Sequence, residues 1–323
     1  MKAFVTGGTG FIGSHLTEHL IQSSDYSEVK CLVRSSEKWL KDKSYTRVQG
    51  DLNSIVTIKK ALSDVNVIFH LAGIVSAPTK QQFTLANVDA TENLLRIANQ
   101  AGVSNIVILS SLAAAGPSNG KPRTEADPMK PVSMYGESKK LMEQMILENT
   151  TGNMSVKILR PPAVYGPRET QIYTLFKIMS YGVTPVVGNG TRPKLSMVYV
   201  SDLVRGIENA SKFTKEGVST YFVSGQITCW KEIKQIAETV LGKKSIALKL
   251  NPAIVKKVAG LIETTASLFG SYPVVNREKA REMILEWTCS SEKAEEELGY
   301  RSEVTLEEGI SRTLHWYKQH NWL

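Results

Sequence analysis

Residues 6–13 read TGGTGFIG, directly after a short apolar run and directly before residues with helical spacing. Glycines at a strand-to-helix turn allow a tight loop and a close backbone approach to a pyrophosphate. The N-terminus of the following helix offers N–H donors and the positive end of its dipole. The stretch therefore predicts a dinucleotide-binding loop, in which the cofactor would contact Gly7, Gly10, Phe11, Ile12 and Gly13.

The first half of the chain alternates apolar runs with helical patterns, which indicates a parallel α/β sheet. This alternation ends after Pro161, where helices and short strands follow less regularly. We therefore predict an α/β protein with a doubly wound parallel sheet (a modified Rossmann fold) and a smaller C-terminal α/β substrate domain. The predicted strands cover 2–6, 28–34, 46–49, 65–72, 105–110 and 156–160, and the tail helices lie near 229–241, 252–269, 277–286 and 306–320.

The length of 323 residues, with 42% hydrophobic and 22% charged residues, fits one large or two smaller globular domains. We expect a dinucleotide-binding domain over 1–168, to which 196–226 return, and a substrate-binding domain from 169–195 and 227–323. No apolar run reaches the ~18 residues that span a bilayer, and residues 2–5 already read as a core strand rather than a leader. Three scattered cysteines predict reduced thiols. We expect a cytoplasmic protein without an integral membrane segment.

The formal charge of +8 comes from Lys and Arg residues that are dispersed along the chain. No basic arm or aromatic platform accompanies them, so we expect attraction of an anionic cofactor and no binding of nucleic acid. His15 and His19 belong to a formal His-x-x-Glu-His zinc-protease pattern. That helix must pack behind the phosphate loop, so we expect no metal site.

The choice of cofactor depends on the end of the second strand, where no acidic residue precedes Glu37. A site selective for NAD would place Asp or Glu there, on the ribose 2′-hydroxyl. Arg34 and the Ser35 hydroxyl could instead pair with a 2′-phosphate. This favours NADP(H), while a solvent-facing Arg34 and NAD(H) stay possible. The ends of the third and fourth strands would also contact the cofactor, at Asp51, Leu52, Leu71, Ala72 and Gly73.

The pentapeptide at 135–139 reads YGESK, which places Tyr135 and Lys139 at i and i+4 on one face of a predicted helix. A free phenol has a pKa near ~10. An ammonium one turn away favours the phenolate and could lower that pKa by roughly 1–3 units. The pair is therefore a candidate general acid/base, although the pattern alone is common on solvated helices.

Several motifs occur in one order: TGGTGFIG at 6–13, Asp51-Leu52, HLAG at 70–73, Asn87, Ser110-Ser111, Tyr135…Lys139 and RPPAVYGP at 160–167. In combination they resemble the extended short-chain dehydrogenase/reductase superfamily, also described as the NAD-dependent epimerase/dehydratase family. The resemblance covers most of residues 1–205. Residues 276–323 resemble the ending of its 3β-hydroxysteroid dehydrogenase-like and dihydroflavonol reductase-like branches.

The resemblance implies roles for the polar residues. Tyr135 would exchange a proton with a carbonyl or alcohol oxygen, and Lys139 would hold the nicotinamide ribose and lower the Tyr135 pKa. Ser111 would donate a hydrogen bond to the developing oxyanion, with its neighbour Ser110 as the alternative. Asn87 would start a helix and order the sheet.

Further implications concern the surroundings of the site. Pro161 and Pro162 would shape the nicotinamide edge, with Val164 beside them. Asp202, in a segment that resembles a strand-to-helix junction of the family, suits a helix N-cap. A homodimer through the Tyr135 helix and the helix at 88–101 is expected.

The family contains nucleotide-sugar epimerases and dehydratases as well as reductases. Sugar-nucleotide enzymes usually carry Asn where this chain has Ala163, and a methyl group cannot donate a hydrogen bond to phosphate. Arg168, Arg192 and Lys194 could still do so. The amphipathic pattern at 252–269 suits an apolar lid, or a membrane contact.

We therefore predict an NADP(H)-dependent oxidoreductase that interconverts a carbonyl and a secondary alcohol on an apolar small molecule. An NAD-dependent nucleotide-sugar epimerase or dehydratase is the alternative. A protein that binds dinucleotide as a redox sensor, without turnover, is a third reading.

Overall fold

The computed structural model describes residues 1–150, 153–250 and 277–323, so the helix predicted at 252–269 lies outside the described residues. Among the described residues, no helix combines the length and the apolar character that crossing a bilayer requires. In chain order the strands are β1 (Lys2–Thr6), β2 (Glu28–Val33), β3 (Thr46–Gln49), β4 (Val67–His70), β5 (Asn105–Leu109), β6 (Ser155–Arg160), β7 (Ala163–Tyr165), β8 (Val183–Val187), β9 (Lys194–Tyr199), β10 (Gly217–Phe222), β11 (Ile227–Cys229) and β12 (Ile246–Leu250).

Helices connect and cover these strands. They are α1 (Phe11–Gln22), α2 (Ile55–Ala61), α3 (Lys80–Phe83), α4 (Ala90–Gln100), α5 (Leu112–Ala115), α6 (Met134–Asn149), α7 (Gln171–Ser180), α8 (Val200–Lys212), α9 (Trp230–Leu241), α10 (Arg277–Met283), α11 (Glu292–Leu298) and α12 (Leu306–Gln319), with a 3₁₀ turn at Lys38–Leu40 and a π-helical turn at Thr84–Asp89.

The central sheet has seven parallel strands in the order β10-β6-β5-β4-β1-β2-β3. Neighbouring residues of β1 point to opposite faces of the sheet, because side chains alternate along a strand. Phe4 packs with α4 and α6 residues such as Leu94 and Met142. Val5 packs with residues of α1 and α8 such as Leu16 and Leu203. Helices on both faces confirm the predicted doubly wound α/β sheet.

The chain after β6 builds smaller sheets and then returns. β7, β9 and β11 form a three-stranded sheet, and β8 pairs with β12. Phe176, Ile233 and Leu314, from α7, α9 and α12, share a separate hydrophobic cluster against this part. β10 rejoins the main sheet beside β6, with Gly217 opposite Ser155.

The prediction that Asp202 caps a helix is wrong, because α8 begins two residues earlier and Asp202 lies inside its first turn. The carboxylate is fully buried. Its Oδ2 accepts hydrogen bonds from Ser302 Oγ at 2.9 Å and from the backbone N–H groups of Glu303 and Val304 at 3.1 Å each. Asp202 therefore fastens the C-terminal segment to the sheet-covering helix, a long-range role that local spacing does not reveal.

Candidate active site

The TGGTGFIG stretch forms a tight turn between β1 and α1. Gly7 has φ +73, and Gly10 N donates to Gly7 O at 3.0 Å. A Cβ on Gly13 would lie 2.1 Å from Gly7 O, so only glycine fits there. No side chain caps α1 and its first turn carries no acidic residue. The first N–H groups of the helix are therefore available to an anion.

A cleft of about 600 Å³ opens beside this turn, at the carboxyl ends of the strands. Ligands bind at this edge in open α/β sheets, and the volume suits a cofactor. The wall of the cleft includes the predicted cofactor residues Gly7, Gly10, Arg34, Ser35, Asp51, Leu52, Leu71, Ala72 and Gly73.

The remaining predicted cofactor residues do not line this cleft. Phe11, Ile12 and Val164 are partly buried and pack on the same core cluster as Leu71. Pro162 is also partly buried. The preceding residue, Pro161, accepts a hydrogen bond from the Leu112 N–H at 2.9 Å, which joins this segment to the start of α5.

The end of β2 presents basic and hydroxyl groups to the cleft. Arg34 follows the strand and is exposed, and its backbone carbonyl accepts from Gln49 Nε2 at 2.9 Å. Lys38 also lines the cleft. The acid on the wall, Asp51, comes from the end of β3 and uses Oδ1 to accept from the N–H of Asn53 at 2.9 Å.

Two of the predicted catalytic residues, Tyr135 and Lys139, lie on α6, and Ser111 precedes α5. The Ser111 hydroxyl lies close enough to the phenol of Tyr135 to lower its pKa, against the effect of burial. Lys139 is buried, and its Nζ donates to Leu109 O at 2.9 Å. A Cβ on Gly73, which lines the cleft, would lie 3.5 Å from Lys139 Nζ. Lys139 therefore lies beside the glycine-lined wall, with Tyr135 one turn earlier on the same helix.

The electrostatics of this group differ from the expectation. Burial raises the pKa of Tyr135 to about 12, against the opposing effect of the nearby Ser111 hydroxyl. Burial also lowers the pKa of Lys139 to about 8. The predicted lowering of the Tyr135 pKa by Lys139 is wrong in this structure, because removal of the phenol from water dominates and Lys139 Nζ is held by Leu109 O. The phenol is therefore protonated at neutral pH.

The alternative serine, Ser110, points elsewhere. It is buried, and its hydroxyl donates to Glu143 Oε1 at 2.5 Å. Glu143 also pairs with Arg160. Ser110 therefore belongs to a buried ionic network behind the site, and Ser111 is the serine that meets Tyr135.

Sequence reasoning missed a buried series of hydrogen bonds that links the nucleotide turn to α6. His70 Nδ1 lies 2.7 Å from Thr6 Oγ1, and His70 Nε2 lies 2.9 Å from Thr91 Oγ1. Thr91 Oγ1 donates in turn to Asn87 O at 2.7 Å. Burial lowers the pKa of His70 to about 3, so a neutral imidazole bridges the two hydroxyls. His70 stands in the HLAG motif, which was the available signal.

Asn87 lies at the far end of this series of hydrogen bonds. It does not start a helix as expected, because it lies within the π-helical turn before α4. Its side-chain amide bonds the backbone N–H and carbonyl of Ile74 at 2.8 and 3.0 Å and donates to Ser138 Oγ at 3.0 Å. Asn87 therefore orders the loop after β4 against α6, where Tyr135 and Lys139 lie.

Two of the arginines considered as phosphate ligands are already paired. Arg168 Nη2 contacts both carboxylate oxygens of Glu18, at 3.0 and 2.9 Å. Arg192 pairs with Glu286. These ion pairs weaken the hypothesis that the two guanidinium groups bind the diphosphate of a substrate.

Comparison with known proteins gives the family. The model of the NAD dependent epimerase/dehydratase family matches residues 3–223. Ceramide reductase of Caulobacter vibrioides is 29% identical over 99% of this chain and 95% of that protein. UDP-glucose 4-epimerase of Vibrio cholerae is also 29% identical, over 98% of this chain and 95% of that protein.

Solved structures agree with this assignment. The crystal structure of DesIV, a dTDP-glucose 4,6-dehydratase of Streptomyces venezuelae with NAD bound, is 25% identical and has a TM-score of 0.79. The match covers 100% of this chain and 98% of that one. The chain therefore belongs to the NAD-dependent epimerase/dehydratase family, as an NAD(P)-dependent oxidoreductase of the extended short-chain dehydrogenase/reductase type.

Proposed function

We propose that this chain catalyses the NADP(H)-dependent interconversion of a carbonyl and a secondary alcohol on an apolar small molecule. The observation that carries the proposal is the position of the Ser111 hydroxyl near the Tyr135 phenol, with Lys139 Nζ beside the glycine-lined cleft. Two neighbouring hydroxyl groups can each turn their one proton toward the same oxygen atom when a carbonyl approaches both of them. That is the arrangement needed to stabilise and protonate a carbonyl oxygen.

Three features suit a dinucleotide. They are the size of the cleft, the N-terminus of α1 without a side-chain cap, and the tight turn in which a Cβ on Gly13 would clash with Gly7 O. When bound, the cofactor supplies or accepts the hydride. The pyrophosphate would be held by Gly7, Gly10, Phe11, Ile12 and Gly13, the adenosine part by Arg34, Ser35, Asp51 and Leu52, and the nicotinamide part by Leu71, Ala72, Gly73, Tyr135, Lys139, Pro162 and Val164.

The protonation of Tyr135 favours a role as proton donor. The phenol carries its proton at neutral pH and can deliver it to a carbonyl oxygen, although the pKa raised by burial makes it a weaker acid than an exposed phenol. The Ser111 hydroxyl would hold the same oxygen. The reverse reaction needs the phenolate, which becomes accessible only when a neighbouring positive charge offsets the desolvation. Lys139 would provide that charge while holding the nicotinamide ribose.

Three observations favour an apolar substrate. The Tyr135 ring packs on Phe83 with ring centroids 6.3 Å apart, and Val75 lines the same small cavity. Ala163 is exposed and offers a methyl group where a hydrogen-bond donor would bind diphosphate. Arg168 is committed to Glu18. The name of the Caulobacter vibrioides relative, a ceramide reductase, points to the same class of lipid carbonyl.

A nucleotide-sugar epimerase or dehydratase is the second candidate, supported by the 29% identity to the UDP-glucose 4-epimerase of Vibrio cholerae. The deciding measurement is mass spectrometry of nucleotide released from freshly purified protein, followed by NADPH and NADH titration and assays with long-chain ketones. Protein without bound nucleotide that prefers NADPH and reduces a ketone supports the proposal. Stoichiometric bound NAD, with turnover of a UDP-sugar, would transfer the assignment to the second candidate.

Arg34→Asp is expected to change the ratio of NADH to NADPH affinity in favour of NADH by about 10–100-fold. A charge-assisted hydrogen bond to the 2′-phosphate is worth about 1.5–3 kcal/mol, and the aspartate would repel that phosphate while accepting a ribose hydroxyl. Fluorescence titration with both cofactors measures the ratio. Arg301→Asp, the same charge change at another exposed arginine, is the control, and an unchanged ratio in Arg34→Asp refutes the role of Arg34.

A further inference from the structure

Helix α10, the first of three helices near the end of the chain, lies against the first turn of α6. Glu278 Oε1 accepts a hydrogen bond from the Met134 N–H at 3.0 Å, at the residue before Tyr135. The far end of α10 is fixed by Trp287, whose Nε1 donates to Glu282 O at 2.8 Å. Both glutamates line a small cavity of about 20 Å³ together with Tyr135.

Glu282 brings an incompletely paired acceptor into this cavity. Its side chain is 13% exposed, and Oε2 accepts from Lys279 Nζ at 3.0 Å. No donor to Oε1 is found in the described ranges 1–150, 153–250 and 277–323. A carboxylate withdrawn from water gains more from a hydrogen-bond donor than an exposed carboxylate does. The carboxylate lies close enough to Tyr135 for its charge to help raise the pKa of the phenol.

We propose that Glu282 selects the substrate by accepting a hydrogen bond from a hydroxyl or amide N–H next to the carbonyl that Tyr135 protonates. This inference rests on the proposed function and names its substrate class, a neutral, donor-bearing lipid ketone. Val75 and Phe83, which line the same cavity, would contact only the carbon atoms next to the carbonyl, because about 20 Å³ holds little more than one water-sized group. The donor and the carbonyl oxygen must be near neighbours, because Glu282 and Tyr135 share one small space.

The same carboxylate would exclude anionic substrates. A phosphate or diphosphate brought next to the Tyr135 phenol would meet Glu282 as a like charge, and like charges in a partly buried site repel. Arg168 and Arg192 could not compensate without leaving Glu18 and Glu286. Glu282 therefore separates a neutral lipid ketone from a nucleotide sugar by charge as well as by hydrogen bonding.

The test uses two ketones of equal length, an N-acyl aminomethyl ketone and the ester in which oxygen replaces the N–H. Calorimetry measures the affinity of each for protein saturated with NADP⁺, where no reduction occurs. Wild-type protein is expected to bind the amide about 10–100-fold more tightly, as for hydrogen bonds to charged acceptors. In Glu282→Ala the ratio should fall to about one, while the ester binds within about threefold of wild type. Glu296→Ala, at an exposed glutamate of α11, should keep the wild-type ratio.

Equal or absent binding of the two ketones by wild-type protein, or a preference that survives in Glu282→Ala, overturns the role of Glu282. If Glu282→Ala fails to fold, Glu282→Gln keeps the shape and an acceptor but removes the charge, and the preference should drop about threefold or more. An unchanged preference in Glu282→Gln also overturns it. Failure of the proposed function looks different: the amide would bind preferentially, yet neither ketone would be reduced with NADPH or NADH.

Discussion

Tyr135→Phe is expected to lower kcat for ketone reduction by about 10³-fold, within the range of 10²–10⁴ that positioned acid–base groups contribute. The phenylalanine ring can keep the packing on Phe83, and Ser133 still caps α6 by accepting from the Gly136 N–H. Lys139 Nζ keeps its bond to Leu109 O. Only the proton donor is removed, so NADPH affinity should stay within about threefold of wild type, the range of a single weak neutral hydrogen bond.

Single-turnover measurement of NADPH absorbance separates the chemical step from product release, and fluorescence titration reports cofactor binding. Tyr181→Phe is the matched control, because Tyr181 is 72% exposed and lies away from the cleft. Turnover that survives in Tyr135→Phe would refute the catalytic assignment. A wild-type protein that binds NADPH but reduces no carbonyl would instead favour a redox sensor.

The parts of the fold that sequence predicts well are those determined by neighbouring residues. β1 and β3 have the predicted bounds, and the turn at Gly7 and Gly13 has the conformation that its glycines require. β2 ends one residue before Arg34, which turns out onto the cleft wall. Such ends depend on pairing with neighbouring strands and are not encoded in local alternation.

In the candidate active site, too, sequence predicts the features set by neighbouring residues but not those set by distant ones. The spacing of Tyr135 and Lys139 is a local property of a helix, so their place one turn apart on α6 was predictable. Their pKa values are not, because they depend first on desolvation and then on the charges of Glu143 and Glu282. Glu282 follows Tyr135 by more than a hundred residues, and no motif signals that α10 returns to α6.

Glu143→Ala is expected to cost about 3–5 kcal/mol of the free energy of unfolding, the range for removing one partner of a buried ion pair. The Glu143 side chain is 1% exposed and that of Arg160 is 6% exposed. Arg160 Nε contacts both carboxylate oxygens, at 3.0 and 3.1 Å, and Nη2 contacts Oε2 at 2.5 Å. The variant leaves the guanidinium over the Phe222 ring, a contact too weak to replace a carboxylate, and Ser110 loses its acceptor.

Urea denaturation followed by circular dichroism measures this loss, with Glu148→Ala on the exposed face of the same helix as the control, expected within about 0.5 kcal/mol of wild type. The double variant Glu143→Leu with Arg160→Met decides the cause. If an uncompensated buried charge is responsible, removing both charges should recover most of the lost stability, since apolar pairs often replace buried ion pairs at no cost. A double variant as unstable as Glu143→Ala would point to a different cause. The hydrogen bonds of the Glu143 carboxylate to Arg160 and Ser110 would then be what stabilises the ends of β5 and β6 beside Ser111.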